Sequence, residues 1–236
     1  MTELPILFNG EMVRAILEGR KTQTRRVVKP QPIWHDFTGT SLSCGPGFVD
    51  YSGKLHRCPY GKPGSQLWVR ETRFRFGLWV TNGKTETGKQ KWRFQPTTEE
   101  VHYAVEDNAA LADVKKTSCR KNGWYRRPSI HMPRWASRIN LLVKAVRVER
   151  VQNITEADAV AEGAYKGHVC LCPDDQVIDQ VRYCGACGGR LVDVVEEHFR
   201  PLWDSTVKKK DLPRFGWDAN PWVWVVEFEK LGADHA

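Results

Sequence analysis

The chain has 236 residues, a formal net charge of +8 and 41% hydrophobic residues, which suits one well-cored domain with insertions. The positive balance points to an acidic partner, of which nucleic acid is the commonest. No apolar run is long enough to span a bilayer, and "MTELPILFNGE" lacks the basic region, long apolar core and cleavage site of a secretory signal, so a cytoplasmic protein with no membrane partner is expected.

In chain order, "PILF" reads as a short strand. A helix follows in which Asn9 is the cap, Val13, Ile16 and Leu17 make the apolar face, and Gly19 ends the turn. "TQTRRVV" is rich in β-branched residues and reads as a strand stopped by "KPQP". Residues from about 31 to 62 are rich in Gly, Pro and Ser and read as an insertion, after which "KPGSQLWVRET" enters another strand. "FGLWV" and "KWRFQP" flank Asn82-Gly83 and predict a hairpin, with "EEVHYAVED" a further strand. A basic loop is expected over about 107–134, then a long strand in "RINLLVKAVRVERVQ".

"NITEADAVAEGA" predicts a short helix with Thr155 as N-cap, Asp158 as its capping-box partner and Gly163 as its end. After a Cys-rich insert at about 167–189, Leu191, Val194, Val195, Phe199 and Leu202 make one face of a helix. The final strand, "PWVWVVEFEKL", puts Trp222, Trp224, Val226 and Phe228 on one side. Many strands with few helices indicate an α+β fold: a small β-barrel decorated by helices and long loops, in a single domain spanning 1–236.

The chemistry-bearing segment is "GRKTQTRR". A threonine hydroxyl needs a base to become a nucleophile, and a lysine is a base only once its ammonium has been driven to lose a proton. Arg20, Arg25 and Arg26 push the Lys21 pKa down, and the same guanidiniums suit a phosphate. Two readings stand side by side: a Thr24 and Lys21 pair serving a nucleoside or polyanionic substrate, and a basic sheet edge whose charges discourage pairing. In a regular strand Lys21 and Thr24 face opposite ways, so cooperation requires Lys21 to sit in the turn after Gly19.

"GRKTQTR" fits the Gly-x-Lys-x-x-x-Arg signature of the ASCH domains, and "ILEGRKTQT" resembles the small bacterial ASCH enzymes that hydrolyse N4-acetylcytidine to cytidine and acetate. "PILFNGEMVRAILEGRKTQTRR", "PGSQLWVRET", "VERVQNITEADAVAEG" and "WVWVVEFEKL" look like the longer ASCH-like proteins of phages and prophages. The resemblance covers about half of the chain and leaves the three insertions outside it. It implies a barrel similar to the PUA RNA-binding fold, a bacterial host cytoplasm, and a catalytic set of Lys21, Thr24 and Glu162. The implied activity is hydrolysis of an amide on a modified base, free or in nucleic acid. The same resemblance allows a non-catalytic reader of RNA or modified DNA. It also allows a ribonuclease, for which the pattern offers no two-histidine or metal site.

"HVCLCPDDQVIDQVRYCGACGG" contains Cys-x-Cys and Cys-x-x-Cys-Gly-Gly, and a reducing compartment makes four such thiols a zinc set rather than a disulfide framework. Cys170, Cys172, Cys184 and Cys187 would hold one ion, with His168 as an alternative ligand. Four protein ligands leave no open position, so that zinc is expected to be structural, and no organic cofactor is expected. Single-stranded nucleic acid is bound by cations interleaved with rings. Trp124, Arg126, Arg127, Trp135 and Arg138, with Trp68 and Arg70 of "LWVRET", have that mixture and are candidate substrate-binding residues beside Arg20, Arg25 and Arg26. Glu71 is a second acid near them.

Overall fold

The computed structural model describes residues 2–32, 47–49, 54–105, 121–165, 175–178, 181–184 and 193–232. The fold is mixed α+β, with strands dominant. Its first elements are β1 (Glu3–Leu7), α1 (Gly10–Leu17), β2 (Gln23–Val27), β3 (Gly47–Val49), β4 (Leu55–Arg57) and β5 (Gln66–Arg70). β6 (Arg73–Lys84), β7 (Gln90–Tyr103), β8 (Gly123–Arg127), β9 (Asn140–Arg150) and α2 (Glu156–Ala161) follow. The chain continues through β10 (Asp175–Ile178), β11 (Val181–Cys184), α3 (Arg200–Thr206), α4 (Leu212–Phe215) and β12 (Trp222–Lys230). None of these helices is long and apolar enough to cross a membrane.

The chain divides into two compact units interleaved in sequence. The first comprises residues 1–2, 15–66 and 142–230; the second comprises 3–14, 67–141 and 231–236. In the first unit, β12 lies between β9 and β2, and β12 pairs antiparallel with β2 so that Val226 faces Thr24 and Val225 faces Arg25. One side of this sheet carries Val223 and Val225. These pack with Val151, Ile154, Ala159, Val194, Phe199, Trp203 and Trp217 into a core of buried side chains. The aromatic members meet at ring-centroid distances of 6.0 and 6.3 Å, within the range of favourable ring pairs. Trp203 donates its indole N–H to the Phe215 carbonyl at 2.9 Å, so its polar edge is satisfied inside the core.

The helix expected to run from Leu191 starts later among the described residues, with a π-type turn over Val195–Phe199 leading into α3. β10 and β11 form a two-stranded hairpin inside the Cys-rich insert, with Asp175 opposite Cys184.

In the second unit β1 lies beside β5, and β7, β6 and β8 form a three-stranded antiparallel sheet in that order. Two expectations are corrected here. The chain does not reverse at Asn82-Gly83; β6 runs on through Lys84 and the reversal falls at residues 85–89, where the Thr85 N–H donates to the Lys89 carbonyl. "KWRFQP" and "EEVHY" are one strand, β7, and its register shifts opposite Gly77. A Cβ at Gly77 would lie 2.3 Å from the Gln95 carbonyl oxygen, so only glycine permits that approach. The loop expected over 107–134 contains β8 at its C-terminal end, paired to β6 from Arg73↔Arg127 to Gly77↔Gly123. No sheet closes on itself among the described residues: the long β6–β7 hairpin and β8 form a sheet of their own rather than staves of one barrel.

Candidate active site around Lys21 and Glu162

The site is built in the first unit from the end of α1, the start of β2 and the end of α2. Gly19, at φ +74°, turns the chain out of α1, and the Arg20 and Lys21 amides both donate to the Ala15 carbonyl. Lys21 therefore sits in the bend that precedes β2. The next amide, of Thr22, donates to Ala161 at the end of α2, and the Thr22 carbonyl accepts from Phe228 of β12.

α2 is capped as its sequence predicts, with the Asp158 amide donating to the Thr155 hydroxyl at 3.1 Å. Its other end is set by Gly163, at φ +75°. A Cβ there would stand 2.9 Å from that of Ala15 and 3.2 Å from that of Lys21, so the absent side chain is what lets α2 close on the bend.

Across this contact Lys21 Nζ donates to the Glu162 carboxylate at 2.7 Å and to the Glu162 backbone carbonyl at 2.8 Å. The lysine side chain is fully buried and that of Glu162 is 5% exposed. Burial is the main force on Lys21 and lowers its pKa, Glu162 opposes it, and Arg26 and Arg25 add repulsion in the same direction as burial.

The other oxygen of Glu162 receives Arg25 Nη1 at 3.3 Å, while Arg25 Nη2 donates to Glu149 at 2.6 Å and Asp158 at 3.0 Å. Arg147 ties the same carboxylates together, bonding Glu149 at 3.0 Å, Asp158 and Glu227. Burial works against the charge of Asp158, but Arg25, Gln23 and Arg147 prevail and hold its pKa below the ordinary value. Asp158, expected as a capping-box partner, thus gives its carboxylate to the arginines.

Lys21 and Glu162 are therefore brought together across 141 residues of sequence. Thr24 is buried in β2 opposite Val226, and strand alternation sets it on the face opposite Arg25. That second face carries Arg26, opposite Trp224, where a cleft of about 550 Å³ is lined by Arg26, Lys29, His56, Arg57, Tyr60 and Trp224 among others. Arg20 pairs with Glu18.

The remaining candidates lie in the second unit. Trp68 is half-buried under the Arg70 guanidinium, which donates to the Ile130 carbonyl. Trp124 stands edge-on to His102 and Phe76. Arg126 is exposed, and Arg127 lies over the rings of Trp79 and Phe94. Arg138 binds buried Glu71 with two nitrogens at 3.0 and 3.3 Å, and Trp135 is 62% exposed. Of the zinc set, Cys170, Cys172 and Cys187 lie outside the described residues, as does His168, and Cys184 is described only as backbone of β11.

Residues that sequence reasoning did not select are Asp158 and Glu149 as carboxylate partners of Arg25, Arg147 as their second cation, and Gly163 as the contact point. The alternation of charge in "KAVRVER" and "VEFEK" was the available signal for this network. Comparison with protein-family models, curated proteins and solved structures returns no match, so the chemistry is argued from the residues and their geometry.

Proposed function

We propose that the protein is an ASCH-type, PUA-like hydrolase that cleaves a carbon–nitrogen amide bond on a modified base, an N4-acylated cytidine being the substrate class that the motif favours. The observation that carries this reading is the fully buried Lys21 ammonium 2.7 Å from the Glu162 carboxylate, in a setting that lowers its pKa. A lysine so placed can reach the neutral form that a general base requires.

In the proposed reaction the neutral Lys21 Nζ takes a proton from a water molecule whose oxygen attacks the acyl carbon, since Thr24 lies on the face of β2 opposite Arg25 and its partner Glu162. Glu162 relays that proton to the leaving amine as the C–N bond breaks, which releases acetate and the free amine of the base. Arg25, with its guanidinium held by Glu149, Asp158 and Glu162, is a positioning residue for Glu162.

The test is to incubate the full chain with N4-acetylcytidine and with acetylated RNA and to chromatograph the products. Acetate release that Lys21→Ala abolishes is expected. No release at high enzyme concentration overturns the reading, and salt-sensitive RNA binding without turnover would establish the reader instead.

A further inference from the structure

The second unit carries positive charge that its own carboxylates do not neutralise. Along β6, Arg73 and Arg75 project to one face, and β8 adds Arg127 directly opposite Arg73. Arg73 and Arg75 are 5% and 7% exposed. Each is held by a carbonyl: Arg73 Nη2 donates to His131 at 2.9 Å and Arg75 Nη2 to Thr98 at 2.8 Å. Arg73 Nε and Nη1 and Arg75 Nε are buried without a hydrogen-bond partner among the described residues.

Burying guanidiniums together is costly unless an anion joins them. At Arg73, burial first, and then the charges of Arg127 and Arg75, push the pKa down to about 10; Tyr103 opposes them and Arg70 adds to them. Burial lowers that of Arg75 as well, with Glu99 opposing.

Arg75 opens on a cleft of about 810 Å³ whose other walls are Pro96, Thr97, Thr98, Glu99 and Trp135. The Arg75 guanidinium lies 4.8 Å from the Trp135 ring centroid, and most of that indole is in solvent. A buried cation next to an exposed ring, with two threonines on the wall of the same cleft, matches the pairing of phosphate and base along a single strand. Glu99 is the one acid on the cleft wall; it is exposed and disfavours an anion at its own end.

We propose that this face of the β7–β6–β8 sheet docks single-stranded nucleic acid, with a backbone phosphate at Arg75, the charges of Arg73 and Arg127 behind it, and an adjoining base stacked on Trp135. Of the residues that the interleaving of cations and rings selected, Arg127 and Trp135 meet this face, whereas Arg126 and Trp124 belong to the opposite one, paired with Phe74 and Phe76. Arg138 is already engaged by Glu71.

The experiment is fluorescence anisotropy of a labelled, unmodified single-stranded oligonucleotide with the full chain across a salt series. Abasic oligonucleotide and inorganic phosphate serve as competitors. Trp135→Ala, at an exposed position, is expected to weaken binding about tenfold with an unchanged salt slope, because it removes the stacking ring and leaves the Arg75 charge in place. Arg75→Gln is expected to weaken it and to reduce the slope by about one. The abasic strand should compete about tenfold less well than the normal one. Wild-type affinity and slope in both variants, or inorganic phosphate competing as well as the oligonucleotide, would overturn the proposal. Because no acetyl group is present, this outcome is independent of whether the amide is hydrolysed.

Discussion

At Lys21 the chemistry depends on a proton. Its native pKa is below the ordinary value, so between that pKa and about 10.4 the unfolded chain binds the proton that the native chain has lost. The contribution of this residue to stability therefore rises with pH across that window, and below it the full cost of burying the ammonium is present. The same titration sets activity: kcat/KM is expected to climb with pH through an apparent pKa below that of free lysine. Lys21→Arg keeps a cation for Glu162 but cannot lose its proton, so that limb should vanish from the pH profile. Asp158 behaves in the opposite sense. Its depressed pKa makes its stabilisation complete above about pH 3.9 and lost as pH falls through the native value. Urea unfolding should show Asp158→Asn less stable than wild type at neutral pH, with the difference shrinking below pH 4. That Lys21 sits in a bend after Gly19 was readable because helix termination is local chemistry; the partners of Arg25 were not, since Glu149 and Asp158 approach it across more than 120 residues of chain.

At the level of elements, the site depends on how α2 meets the bend before β2. Thr155 and Gly163 were visible as helix start and stop because capping is local chemistry. What local chemistry does not state is that the glycine also touches Ala15 and Lys21. Gly163→Ala should cost at least about 1–2 kcal/mol from the left-handed backbone alone, and activity should fall further than in Thr155→Ala, whose cap loss costs about 1 kcal/mol. Thermal unfolding and initial rates on the two variants separate these effects. The β6–β7 hairpin shows the converse. Asn82-Gly83 is a strong turn signal, yet the strands continue past it to a reversal that contains Gly88, because pairing between Trp79 and Phe94 and their neighbours sets the register over a longer stretch. The turn dipeptide was overridden by cross-strand packing.

For the whole molecule, the strand-rich α+β class was readable from alternation and turn residues. The division into two interleaved units was not, because Glu3–Arg14 and Leu67–Leu141 are joined in space rather than in sequence. The zinc expected from the Cys-rich insert is tested at this scale as well. One zinc per chain by atomic absorption is expected, with loss of the metal and a lower melting temperature in Cys184→Ser; a metal-free wild-type protein with the same melting temperature would remove zinc from the account. The measurement that bears most directly on the central claim is acetate release from N4-acetylcytidine by wild type and Lys21→Arg, compared at equal folded fraction. Turnover by the wild type and a rate at least about 100-fold lower in the variant are predicted, the scale of a lost general base. Equal rates, or no acetate from either, would contradict the assignment of Lys21 and Glu162 as a catalytic pair.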